Sequence, residues 1–257
     1  MAGEARFSGR SGGDNSFFAR TALLLTQAEC RRASTREARE AIFRLRYQAY
    51  ARAGAIAADS SMAFADPFDA MGHVYLFGLY LGAELAGSIR LHVVSDTRPI
   101  SPALAVFADL LQPELDAGRV MVDCSHVVAD EGLARLYREI PYATHRLGVL
   151  AAEHFNADLL VIAANPGHRV LYQRALDYRP RSDPRPYPRL AQPATLMTLN
   201  YPPAAATLKQ RYPFFSSTSR ERNDLFVRLA GDYAGVTSNV SSTGSIMPTR
   251  RASHLPH

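Results

Sequence analysis

The sequence predicts an α/β fold in which helices flank a central sheet, and three patterns carry that prediction. Apolar residues recur at helical spacing between residues 34 and 53. Strand-like alternation replaces it from His73 to Val94, and helical and strand-like runs then alternate as far as Asn200. A hydrophobic fraction of 47% over 257 residues is that of a chain with a packed core. No run approaches the ~18 uninterrupted apolar residues of a membrane span. Ala22-Leu-Leu-Leu25 is also shorter than the roughly 7–15-residue apolar stretch of a secretory signal. Two cysteines, Cys30 and Cys124, are too few for a disulfide framework, which points to the cytoplasm and makes Cys124 a small core residue.

Residues 1–33, rich in Gly, Ser and Arg, read as a flexible leader. Ser34-Thr-Arg-Glu37 has the pattern of a capping box opening a helix to about Ala53, with Ala38, Ala41, Ile42, Leu45 and Ala49 on one face. Arg46 lies at the margin of that stripe, where a snorkelling side chain would also sit. An irregular segment follows through Asp66-Pro-Phe-Asp69. Two strands, 73–81 and 85–94, are then joined by a tight turn at Gly82-Ala-Glu84. In the second, Ile89, Leu91 and Val93 alternate with Ser88, Arg90 and His92, so one face is apolar and the other polar.

A short helix is expected from Pro102 to Leu111 with Phe107 on its buried side. A strand follows over Arg119–Val128, then a helix over Leu133–Ala157 that Pro141 must kink or divide. Asp158–Ala164 reads as a central strand, His168–Leu176 as a helix and Ala194–Asn200 as the last strand; the Pro/Arg-rich stretch 180–193 is a loop. The expected core is thus residues 34–200. Beyond it, 201–257 form an extension with helices at 204–211 and 220–229 and a disordered Ser/Thr/Gly-rich tail.

The strand Arg119-Val-Met-Val-Asp-Cys-Ser-His-Val-Val128 is the chemical focus. Asp123, Ser125 and His126 lie within an otherwise apolar run, and a buried polar group without a partner costs roughly 1–3 kcal/mol. One reading makes Asp123 a strand end and His126 a hydrogen-bonded, half-buried residue; the other makes this strand the carrier of the chemistry. In a regular strand Asp123 and His126 face opposite sides, so a bulge is needed for both to reach one pocket.

The net charge is +5, and Lys209 is the only lysine. Genome composition can account for the arginine excess, but arginine also makes bidentate contacts with carboxylates and phosphates. No nucleic-acid-binding signature accompanies the charge, so an acidic protein partner is the sharper reading.

With the motifs in order, the chain resembles the GNAT acyltransferases, with their mixed central sheet flanked by helices. The resemblance rests first on the strand entering Asn165-Pro-Gly-His-Arg-Val-Leu-Tyr172 and on Leu176-Asp-Tyr178. It implies that Tyr172 protonates a leaving thiolate, although its spacing alone is that of a core aromatic. Phe43-Arg-Leu-Arg46, Asp66-x-x-Asp69, Ser88-Ile-Arg90, Phe107 and Asp123-Cys-Ser-His126 follow the order of the acyl-homoserine lactone synthases and the related long-chain N-acyl amino acid synthases. By position, Arg46, Asp66, Asp69 and Arg90 would surround the amino substrate, with Phe107 and Ser125 beside it. Asp123 takes the place of that family's glutamate and His126 that of its arginine. Asp123 or His126 is then the candidate base.

Asp is one methylene shorter than Glu, and the charge of His depends on pH, unlike that of Arg. The chain also has no tryptophan, whereas the lactone synthases usually carry one near the first helix; this favours the N-acyl amino acid branch. Coenzyme-A-dependent relatives follow their fourth strand with a glycine-rich loop that binds pyrophosphate. Here that segment reads Ala129-Asp-Glu-Gly-Leu-Ala-Arg-Leu-Tyr137, with two acids. The implied donor is therefore acyl-phosphopantetheine on acyl-carrier protein, with acyl-CoA the alternative, and no cofactor or metal is bound permanently. Arg31, Arg32, Arg36 and Arg39, or Arg135 and Arg138, would dock the carrier. The competing readings are an acetyl-CoA-dependent N-acetyltransferase, a lactone synthase and a non-catalytic scaffold.

Overall fold

The computed structural model describes residues 11–227, beginning with helix α1 (Ser11–Gln27) and strand β1 (Ala28–Arg32). Helix α2 (Arg36–Arg52), a 3₁₀ helix (Pro67–Ala70) and the hairpin β2 (Val74–Leu81) and β3 (Glu84–Val94) follow. Next come α3 (Pro102–Val106), α4 (Ala108–Asp116), β4 (Met121–Ala129), α5 (Glu131–Leu136), α6 (Ile140–His154) and β5 (Leu159–Ala164). The chain continues through α7 (Pro166–Leu176), the short β6 (Arg179–Pro180), β7 (Thr195–Asn200), α8 (Tyr201–Arg211), a second 3₁₀ helix (Pro213–Phe215) and α9 (Ser219–Phe226). One seven-stranded sheet has the order β1-β2-β3-β4-β5-β7-β6; β4 and β5 run parallel and the other neighbours antiparallel. Among the described residues no helix is long and apolar enough to cross a membrane.

The alternation in β3 sorts the molecule into layers. Ile89, Leu91 and Val93 join the main core with Leu147 and Leu150 of α6, while Ser88, Arg90 and His92 are buried on the opposite face. A second cluster under α3 and α4 contains Leu104, Phe107, Leu111, Met121, Val161 and Leu196. Gly148 lets α6 approach β4: a Cβ there would stand 2.7 Å from the Cys124 sulfur, well inside van der Waals contact.

Several boundaries differ from the sequence reading for identifiable reasons. The N-cap of α2 is Thr35, not Ser34; its hydroxyl accepts the Ala38 N–H at 3.2 Å. The helix expected at 102–111 breaks at Phe107, which drops into the second core, and α4 then continues to Asp116. Pro141 divides the long helix by starting α6, where its missing N–H leaves no partner unsatisfied.

The flexible leader expected over residues 1–33 is corrected for its described part. Strand β1 pairs with β2 from Ala28↔Leu81 to Arg32↔Phe77, and α1 is held to α6 by Phe17 against Tyr142 and by Arg20 to Glu139 at 2.6 Å. The boundary at residue 200 is also no structural boundary: Tyr201, Leu208, Phe214, Phe215 and Phe226 all belong to the main core. The disordered tail expected after Val236 lies outside the described residues, as do residues 1–10.

His145 shows what this core demands. It is buried on α6, with Nε2 3.0 Å from the Tyr178 hydroxyl and Nδ1 without a partner. Burial pushes its pKa from 6.5 down to about 4. The unfolded chain takes up that proton near pH 6.5, so stability is complete above this pH and is lost as pH falls towards 4. At pH 5 the loss is about 2 kcal/mol. His145→Asn is expected to give a flatter profile of melting temperature between pH 7 and 5 than the wild type; parallel profiles would contradict the assignment.

Candidate active site

The site begins with a loop that caps itself. Asp66 is the N-cap of the first 3₁₀ helix and accepts the Phe68 N–H at 2.9 Å, while Asp69 Oδ2 accepts the Asp66 N–H at 2.9 Å. This capping box points both carboxylates at the polar face of β3. Arg46, fully buried on α2, donates to the two oxygens of Asp69 at 2.9 and 3.0 Å. Arg90 lies 2.6 Å from Asp66 and 3.0 Å from Asp69, and its Nε donates to Ser125 Oγ at 3.0 Å. Two guanidinium groups thus balance two carboxylates in a dry interior, as buried charges require. Burial alone would raise the Asp66 carboxyl, but hydrogen bonds from His126 and Arg90 outweigh it and hold it well below the usual range.

The expected bulge exists and His126 is its centre. Arg90 pairs with Ser125 and Ser88 with Val128, so two steps on β3 are matched by three on β4. His126 takes the left-handed conformation, φ 51°, which a non-glycine residue adopts at a cost. The extra residue turns its ring to the face of Ser125: Nε2 lies 3.2 Å from Asp66 Oδ2 and Nδ1 2.7 Å from the Tyr50 hydroxyl. Nε2 faces an ionised carboxylate, so it carries the proton, and Nδ1 accepts from Tyr50. Burial, with Arg46 and Arg90 nearby, lowers the pKa of His126 to about 3, so the ring is neutral near pH 7. Where the resemblance has a permanent cation, this chain has an uncharged imidazole.

Beside the bulge the sheet is open. Parallel pairing of β4 with β5 stops at Asp123↔Val161, and the gap beyond it is a cavity of about 380 Å³. Ser125, His126 and Val127 line one side, Ile162 to Asn165 the other, and Tyr50 and Tyr172 also form its wall. The Pro/Arg-rich loop contributes Tyr187, Leu190 and Gln192 and is strapped down by Arg185 to Asp109 at 2.6 and 2.8 Å and by Arg189 to the Ala65 carbonyl.

The sequence candidates therefore fall into three groups. Ser125, His126 and Tyr172 reach the cavity. Arg46, Asp66, Asp69 and Arg90 come together as expected, but they bond one another behind its wall, so they hold His126 and Ser125 in place. Asp123 and Phe107 do not arrive where they were expected. Asp123 is 1% exposed, off the cavity wall, and its Oδ2 accepts the Ala103 N–H at 2.9 Å, anchoring the start of α3. Phe107 is a core residue beneath α4, with the Arg185 guanidinium 5.2 Å from its ring centre. Cys124 touches the cavity, but burial raises its thiol well above the usual value, the reverse of a nucleophile. Tyr50 was not among the candidates; its spacing of four residues from Arg46, which puts both on one helix face, was the available signal.

Comparison with known proteins agrees with this architecture. The solved structure of FeeM, an N-acyl amino acid synthase from uncultured soil microbes, superposes with a TM-score of 0.58 at 22% identity. The match covers 68% of this chain and 91% of that one. The acyl-homoserine lactone synthase LasI superposes with a TM-score of 0.51 at 16% identity, covering 67% and 89%. No curated relative matches in sequence. The family model "N-acyl amino acid synthase FeeM" matches residues 41–200, the stretch that holds β2 to β7, the bulge and the buried charge cluster. This chain belongs to the FeeM family of N-acyl amino acid synthases and is an N-acyltransferase with the GNAT fold.

Proposed function

We propose that the protein moves a long-chain fatty acyl group from acyl-carrier protein to the amine of an amino acid. The observation that carries this reading is the gap between β4 and β5, whose wall sets Val127, Val128, Ile162, Leu171 and Leu190 in one cavity with His126 and Tyr50. An acyl chain fits the apolar part, and the thioester carbonyl then lies by the strand edges. Backbone N–H groups along 124–128, no longer paired to β5, are suited to the tetrahedral oxyanion. Tyr172 is buried on the same wall, where burial pushes its hydroxyl up and keeps it protonated, as an acid for the departing thiolate must be. The role of base passes from Asp123 to His126: burial makes the resting imidazole a weak base, and the Asp66 carboxylate on Nε2 supports the proton that Nδ1 takes up through Tyr50.

The donor reading rests on α5. Asp130 occupies its start, accepting the Leu133 N–H at 3.0 Å, and Glu131 follows, paired with Arg52 at 2.8 Å. The Leu133 amide is thus taken by a carboxylate and a second acidic side chain stands beside it, which disfavours a pyrophosphate there and favours a carrier arm without the nucleotide. Of the arginines expected to dock a carrier, Arg31, Arg36 and Arg135 bind neighbouring glutamates, and Arg39 turns inward to the Asp69 carbonyl. Arg138 remains exposed beside Leu136, itself 75% exposed.

Mass spectrometry of lipids from a bacterial host expressing the chain tests the proposal. A new N-acyl amino acid supports it and identifies chain length and acceptor; no new N-acyl product would overturn it. Asp123→Asn is expected to keep turnover within about tenfold, because the carboxylate does not reach the cavity. A base that made the transfer would cost about 10²–10⁴-fold when lost, and a loss of that size on Asp123→Asn would restore Asp123 to the role.

A further inference from the structure

We propose that Tyr50 is a catalytic residue: its phenol oxygen meets the acceptor amine and passes the proton of that amine to Nδ1 of His126. This rests on the acyl-transfer reading. Four features of the structure lead to it. Tyr50 lines the same cavity as Ser125 and His126. Its hydroxyl lies 2.7 Å from His126 Nδ1, so its own proton is committed there and its lone pairs remain for an N–H donor. Behind it the chain of contacts is complete: His126 Nε2 to Asp66 Oδ2 at 3.2 Å, and Asp66 Oδ1 to Arg90 at 2.6 Å and to the Phe68 N–H at 2.9 Å. Finally, the Tyr50 ring is fixed edge-on by Phe64 at 5.1 Å and by the His126 ring at 5.7 Å. The left-handed backbone of His126 makes this placement possible, since a regular strand would send its ring to the α6 side.

The step balances. The amine lone pair forms the C–N bond at the thioester carbon, and the carbonyl becomes an oxyanion. As nitrogen becomes acidic, its proton moves to the Tyr50 oxygen while the Tyr50 proton moves to His126 Nδ1. The oxyanion then re-forms the carbonyl, the C–S bond breaks, and Tyr172 protonates the thiolate. The proton held on His126 returns through Tyr50 to the Tyr172 phenolate, leaving an amide, a thiol and a reset enzyme. Tyr50 and Tyr172 line the same cavity, close enough for one to affect the ionisation of the other.

The test is a double-mutant cycle on the full chain with acyl-carrier thioester and the amino acid identified in the host. Tyr50→Phe and His126→Asn are each expected to lower kcat about 100-fold while KM for the thioester stays within about threefold. Asparagine is chosen because it tolerates the left-handed conformation. The double variant is expected to lose no more than the worse single one, because both act in one relay. Tyr50→Phe turnover within threefold of wild type, or losses that multiply in the double variant, would overturn the role of Tyr50 and leave acyl transfer standing. Wild type that transfers to no amino acid overturns the transfer reading, and this inference with it. If Tyr50→Phe does not fold, the His126→Asn loss alone decides: an unchanged kcat refutes the relay.

Discussion

Arg46→Ala is expected to lower folding stability by about 3–5 kcal/mol, the cost of removing one partner from a buried ion pair. Arg46 is fully buried and donates to both oxygens of Asp69, whose side chain is 4% exposed. Without it, two carboxylates share the single guanidinium of Arg90, and one negative charge is left without its counterpart in a low-dielectric interior. Such a loss is a large part of the about 5–15 kcal/mol that holds a domain together. Urea unfolding measures it directly as a shift in midpoint. Because the penalty comes from the orphaned carboxylate, Arg46→Met combined with Asp69→Leu is expected to be more stable than Arg46→Ala alone. If the double variant is the less stable of the two, the pair does more than balance charge.

The second large effect is on activity. Ala49 lies on α2 at the cavity wall, next to Tyr50 and half-buried. Ala49→Trp fills part of the cavity with an indole. Transfer of long acyl chains is expected to fall about 100-fold in kcat/KM, the size of effect that a displaced reacting group produces. Short acyl chains are expected to suffer less. The check is a series of acyl-carrier thioesters of graded length, with the melting temperature confirming an intact fold. Equal activity on every chain length would mean that the acyl group lies elsewhere.

Much of this is legible in the sequence. Alternation in β3 separated Ile89, Leu91 and Val93 from Ser88, Arg90 and His92, and the sheet buries those two sets on opposite faces. The order of Arg46, Asp66, Asp69 and Arg90 pointed to one cluster, which forms with contacts of 2.6 to 3.0 Å. Asp123 and Phe107 lie away from the cavity because proximity in sequence says nothing about which neighbour claims a side chain. The first turn of α3 took the Asp123 carboxylate, and the break between α3 and α4 took the Phe107 ring into the core. The segment 11–32 lacks a strong hydrophobic period, so its helix and edge strand are supported by pairing with β2 and packing on α6 rather than by local pattern.

By itself, then, the sequence determined the layers, the order of the strands' chemistry and the residues that make up the charge cluster, because periodicity and residue type act locally. Only the tertiary structure decided what the cluster is for. The bulge at His126 depends on the register of β4 against β3, and that one extra residue turns the imidazole to Tyr50 and Asp66, just past the point where pairing with β5 stops. Register is set by the packing of whole strands, so neither the neutral His126 nor the cavity beside it could be read from the order of residues alone.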